Sequence, residues 1–217
     1  MNFLLERVTG PEIEPITLAE MKLHLRTFAT DTSEDAMISG LIQGAREWVE
    51  DYTGRVLVDQ TWRLTVGDVA YAFRNVDSDT VRGVYTGAWM PSSDGGVFLR
   101  KSPVIAITSF KSVDPAGVET TIAASSYELR EAKSKWPRLF GLTGATWSGP
   151  LRITYRAGFA DQTGSPQDSV SVIPVRFIQA MKFWAEAMYD RDEKLMPLLL
   201  DVAERLVRPE RSELQIA

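Results

Sequence analysis

His24 is the only histidine in the chain, so a histidine general base or nucleophile relay would have to be built around it. Its neighbours Lys22 and Arg26 predict a solvated or interface face of a helix rather than a catalytic cleft. No Gly-x-Ser-x-Gly elbow, Ser-x-x-Lys pair or His-Glu-x-x-His helix accompanies it. Carboxylates cluster in three places. Asp77-Ser78-Asp79 lacks the third ligand position, central glycine and closing glutamate of an EF-hand, and reads as an acidic turn. Glu47, Glu50 and Asp51 fall opposite an apolar helical stripe, which predicts a solvated face; paired-acid hydrolysis would need them in a cleft. Asp190, Arg191, Asp192 and Glu193 end a helix and read as a surface corner or an intersubunit contact.

Phosphate chemistry is equally unsupported, because no glycine-rich turn leads into Gly-Lys-Ser or Gly-Lys-Thr. Ser93-Asp94-Gly95-Gly96 is a hairpin or loop signal. The absence of cysteine removes disulfides, thiolate metal sites and cysteine nucleophiles. The expectation is therefore a protein with no catalytic residues, no cofactor and no metal. Trp89-Met90-Pro91 sets large apolar groups in a stretch otherwise rich in loop formers. Trp89 and Met90 either fold back over a sheet or anchor a neighbouring subunit, since Trp and Met are enriched in interface cores.

The 217 residues suit one domain, or one domain with an insertion, and can bury a sizeable core. Hydrophobic residues at 44% and charged residues at 24% place the chain among globular proteins, not disordered ones. Met1-Asn2-Phe3-Leu4-Leu5-Glu6-Arg7 reaches a charge after three apolar residues, and no later run approaches a membrane span, so no signal peptide or membrane partner is expected. Lysine plus arginine number 24 against 29 acidic residues, a net charge of −5. A protein that grips nucleic acid usually carries a basic excess to displace counterions. This balance argues against DNA binding as the main task.

Any site must be positioned by three blocks of elements. Thr17 with Glu20 forms a capping box, stapled by Ile16 and Met21, and predicts a helix to about Thr27 with Leu18, Met21 and Leu25 on one face. Asp31, Thr32 or Ser33 can cap a longer helix whose stripe is Met37, Ile38, Leu41, Ile42, Ala45, Trp48, Val49 and Tyr52, closed by Gly54. From Gln60 to about Phe159 the period becomes two. Trp62, Leu64 and Val66 alternate with Thr61, Arg63 and Thr65, and Val104 to Ile107 opens a strand. Asp114-Pro115-Ala116-Gly117 turns it back into Val118 to Ile122, while Tyr127 to Arg130 and Leu151 to Arg156 alternate again. Short connections predict an antiparallel meander, with residues 75–96 as a long loop or extended hairpin. After a polar loop, Pro174 starts a helix with Val175, Ile178, Met181, Ala185, Met188 and Tyr189 on one stripe, widened by Phe177 and Trp184. A last helix runs from Pro197 to about Val207, with Leu198, Leu199, Val202 and Leu206 on one side; Pro209 ends it before a polar tail. The expected class is α+β: a mainly helical bundle made by N-terminal helices (17–54) and C-terminal helices (174–207), a β-rich antiparallel insertion (60–159) and a flexible tail (208–217), all in a single domain (1–217).

Pro15-Ile16-Thr17-Leu18-Ala19-Glu20-Met21-Lys22-Leu23-His24-Leu25-Arg26, then Glu34-Asp35, Tyr52-Thr53-Gly54-Arg55, Gln60-Thr61-Trp62, Pro103-Val104, Ile153 to Phe159, Ile173-Pro174 and Tyr189 to Glu193 follow in an order and spacing that resemble the head–tail connector, or adaptor, proteins of long-tailed phages and gene-transfer particles. The resemblance spans nearly the whole chain. It implies a helical bundle with a β-rich insertion and a non-catalytic protein at the head–tail junction of the particle, made and assembled in the bacterial cytoplasm. It implies three partners: the portal protein, a tail-side stopper or head-completion protein, and further copies of itself in a twelve-subunit ring through which DNA passes without specific binding. By the same resemblance Leu195 to Ala217 docks into the portal, with Leu206, Arg208, Arg211, Leu214 and Ile216 as candidate contacts. Twelve copies at −5 would carry roughly −60, a field that repels DNA phosphates from the lumen. The alternatives are another head-completion or tail-terminator protein, a small carboxylate-dependent enzyme, or a nucleic-acid-binding module with a local basic stripe.

Overall fold

Thr17 opens the first helix as its side chain predicts. Its hydroxyl accepts from the Glu20 N–H at 3.2 Å while its own N–H donates to Glu20 Oε2 at 2.9 Å, closing the capping box. The computed structural model describes residues 3–67, 97–142, 150–159, 172–190 and 192–211. Among them α1 (Leu18–His24), α2 (Asp35–Thr53), α3 (Val175–Asp190) and α4 (Met196–Val207) build one unit, from Pro11–Val58 and Phe159–Arg211.

The helix α1 stops before Thr27. Arg26 takes the left-handed conformation (φ 58°), its N–H reaching Leu23 O at 3.3 Å and the Thr27 N–H reaching Lys22 O at 3.0 Å, which is a Schellman closure with arginine where glycine is usual. The expected side-chain cap of α2 is not made. Asp31 Oδ1 instead accepts from the N–H and hydroxyl of Ser33 at 2.9 and 2.7 Å, a local turn that competes with capping. Glu34 holds the cap position with no side-chain bond. Gly54 does close the helix, at φ 72° with its N–H on Glu50 O.

Ile38, Ile42, Ala45 and Val49 of α2 pack with Phe177, Ala180, Met181 and Ala185 of α3, and with Ala203 and Val207 of α4, around Ile16 and Met21. Trp184 lies flat enough on α2 that a β-carbon on Gly44 would come within 3.2 Å of its ring. Two predicted stripes are rotated. Val175 of α3 faces solvent and Phe177 takes the centre; on α4 Leu198 and Val202 face outward while Ala203 and Val207 go in. Met196 to Leu200 is apolar nearly throughout, more than one face can bury, so the small Ala203 decides which side approaches α3.

The second unit comprises residues 1–10 and 59–158, with 212–217. Its larger sheet orders five strands as β1 (Phe3–Thr9), β2 (Gln60–Val66), β8 (Leu151–Ala157), β4 (Val104–Val113) and β5 (Glu119–Thr121), each neighbour antiparallel. β2 therefore pairs with a strand some 90 positions later, from Gln60↔Ala157 to Val66↔Leu151, so the sheet is antiparallel but not a simple meander. Leu64, Val66, Phe110, Leu151, Ile153 and Tyr155 are buried on one face; Arg63, Thr65, Arg152, Thr154 and Arg156 alternate with them. The Asp114–Gly117 turn forms as read: Gly117 is left-handed (φ 84°) and Asp114 Oδ1 accepts from the Val118 N–H at 2.8 Å. β4 carries two register shifts, between Val104 and Ala106 and between Ile107 and Ser109. A smaller sheet orders β3 (Val97–Phe98), β7 (Arg138–Gly141) and β6 (Tyr127–Arg130). The α+β class holds, with 38% helix and 29% strand, a more even balance than a mainly helical description conveys.

Candidate assembly surfaces

Among the described residues, His24, Lys22, Arg46 and Glu50 take structural parts. His24 Nε2 lies 3.0 Å from Glu186 Oε2 and its ring meets Phe183 edge-on, so it joins α1 to α3. Lys22, expected on a solvated face, is buried, its ammonium donating to Asp31 O at 2.6 Å and pairing with Asp35. Glu50 is likewise not solvated. It accepts from Arg46 at 3.1 Å and from the Leu57 N–H at 2.9 Å, and Arg46, 2% exposed, also holds Glu14 at 2.9 Å. Burial disfavours the Arg46 charge, but the Glu14 hydrogen bond and the surrounding carboxylates more than offset it. Tyr155 is wholly buried, which pushes its phenol upward and keeps it neutral; the Lys101 N–H donates to it at 3.2 Å. Among the described residues no group of three or more His, Asp or Glu could hold a metal ion. Nor is any helix there long and apolar enough to cross a membrane. Asp77, Asp79, Arg191, Trp89 and Met90 lie outside the described residues.

The predicted docking residues meet a different fate. Leu206 packs against the helical core. Arg208 donates to Glu204 at 3.0 Å, and Glu204 accepts from the Tyr52 hydroxyl at 2.8 Å. These two bonds, Arg208 first, hold the Glu204 carboxyl below its ordinary range. The Arg211 guanidinium sits over the Tyr52 ring, 5.2 Å from its centroid, and that ring stacks on Trp48 at 5.6 Å. Glu210 bonds Arg176 at 2.8 Å and pairs with Arg55 at 4.0 Å. Arg208 and Arg211 thus fix where the chain leaves the helical unit. Leu214 and Ile216 lie beyond the described residues.

Two exposed apolar surfaces were not legible as sites. Leu23 and Phe28, on the end of α1 and the following turn, are 80% and 81% exposed, and Leu198 on α4 is 65% exposed. The sequence signal for the first pair is weak: Leu23 is out of phase with Leu18, Met21 and Leu25, and Phe28 interrupts a polar stretch.

Residues 15–81 match the family model described as the phage gp6-like head–tail connector protein. A comparison with curated protein sequences gives no match. Among solved structures, chains from the virion of a native gene transfer agent particle (26% identity, TM-score 0.69), from the neck of an empty particle computed with C6 symmetry (25%, 0.68) and from the neck of a native particle computed with C12 symmetry (25%, 0.64) are similar; each alignment covers 96% of this chain and 95% of the other. A Thr17 capping box opening the first of two adjoining helices, a β unit inserted before the last helices, a family-model match over residues 15–81 and a fold shared over 96% of the length make the chain similar to phage head–tail connector proteins and to chains of gene transfer agent particles.

Proposed function

We propose that the chain is the adaptor at the head–tail junction of a tailed phage or phage-like particle, present there as a twelve-subunit ring between the portal and the tail-side proteins. The observation that carries the reading is the likeness, over 96% of the chain, to chains from a neck computed with C12 symmetry. The anchored exit at Arg208–Arg211 supports a portal-directed role for the C-terminal segment beyond it. Leu214 and Ile216, in that segment, are its contacts to the portal. The acidic balance suits a lumen that lets DNA pass without holding it.

The test is the copy number of this protein against portal in purified particles, by mass spectrometry. A ratio near one is expected. Absence from intact tailed particles overturns the reading.

A further inference from the structure

The turn that carries Leu23 and Phe28 is rigidly built. The Schellman closure, the buried Lys22 ammonium on Asp31 and Asp35, His24 on Glu186, and the Tyr189 hydroxyl donating to Glu34 at 2.6 Å all fix it. Two large apolar side chains are therefore held out in water by a framework that gives them little room to fold back. Arg26 lies between them, exposed and left-handed, at a position where glycine is the unstrained residue. A strained arginine flanked by an exposed leucine and phenylalanine has the composition of an interface core. On α4, Leu198 and Val202 form a second outward apolar strip, with Asp201 beside them, half-exposed and 2.8 Å from Arg205.

We propose that these surfaces meet between copies of this chain: Leu23 and Phe28 of one copy seat against Leu198 and Val202 of the next, and Arg26 reaches Asp201. The inference rests on the ring reading above and names the contact that propagates the ring. A closed ring needs two different surfaces per subunit, because a patch that pairs with itself stops at a dimer. The Leu23–Phe28 turn, with Arg26 exposed between its apolar side chains, and the Leu198–Val202 strip, with the Asp201–Arg205 pair beside it, are two such surfaces, and Arg26 and Asp201 carry opposite charges. A portal or tail-side occupant for either surface is the competing outcome.

With Phe28 replaced by p-benzoylphenylalanine in the full chain, irradiation of purified particles should give a ladder in multiples of 24.2 kDa. Peptide mapping should place the adduct within residues 192–205 of another copy. An adduct on portal or on a tail-side protein, or none in particles that contain the chain, overturns this contact but leaves the ring reading standing. Absence of the chain from particles defeats the ring reading itself. Independently, Leu23→Ser with Arg26→Glu should cut the yield of tailed particles at least tenfold while the free chain keeps its melting temperature. An unchanged yield overturns the proposal.

Discussion

Arg46 and Arg26 show how much a single side chain can hide from a sequence. Arg46 lies on the core-facing half of α2 with Glu50 one turn on, and both are buried. Removing one partner of such a pair strands a charge, so Glu50→Ala and Arg46→Met should each cost about 3 kcal/mol, whereas the double replacement Arg46→Met with Glu50→Met should cost less than the sum of the two. Urea denaturation of the single and double variants checks this; a double variant that loses the full sum of the two single losses would mean that the stranded charge does not set the cost. Periodicity placed Glu50 on the solvated side because it scores a carboxylate as outward by default. What brings Glu50 inward is the Leu57 N–H, on the chain that turns back after Gly54, and no helical spacing encodes that. Arg26 is opaque for a related reason: only glycine announces a left-handed cap. Arg26→Gly should stabilise the free chain by about 1 kcal/mol, a rise of a few degrees in melting temperature, while weakening ring assembly. Gain of stability with loss of assembly is the outcome that separates a functional arginine from an accidental one.

Among the elements, those with a local cause were legible. The capping box of α1, the Gly54 end of α2 and the Asp114–Gly117 hairpin rest on side chains within a few residues of the bonds they make. Thr17→Ala should lower stability by about 1 kcal/mol, read from the urea midpoint. Strand β1 was not legible: as an edge strand with Leu4 and Val8 exposed, it shows no clean alternation. Its place beside β2, and that of β8 on the other side, are long-range choices made by packing. The faces of α3 and α4 were half legible, since an apolar surplus leaves the buried side to be chosen by the partner helix. The end of α4 has a pH dependence of definite sign. The folded-state value of Glu204 lies below its unfolded value, so its bonds to Arg208 and Tyr52 stabilise the fold above the ordinary value of 4.5 and that contribution fades as pH falls through the folded-state value. Tryptophan fluorescence from Trp48, beside Tyr52, should change on acidification in the wild type, and less in Glu204→Gln.

For the molecule as a whole, the sequence order of blocks carried most of the functional reading, because the connector likeness lies in spacing along the chain and not in any one residue. Truncation after Arg211 should leave the melting temperature within a degree or two, since the exit is fixed by Arg208, Glu210 and Arg211 themselves, yet it should abolish tail attachment. Particles that still attach tails would move portal docking elsewhere. The helical unit is discontinuous, Pro11–Val58 closing only with Phe159–Arg211. On the ribosome, α1 and α2 emerge first and must wait while about 100 intervening residues are made, a delay of roughly 5 to 20 s at bacterial elongation rates. Through that interval Ile38, Ile42, Ala45 and Val49 have no α3 to cover them. The nascent chain is thus a natural client for a ribosome-associated holdase, and slowing translation across the β unit should lower the soluble yield of a protein whose finished fold is unchanged.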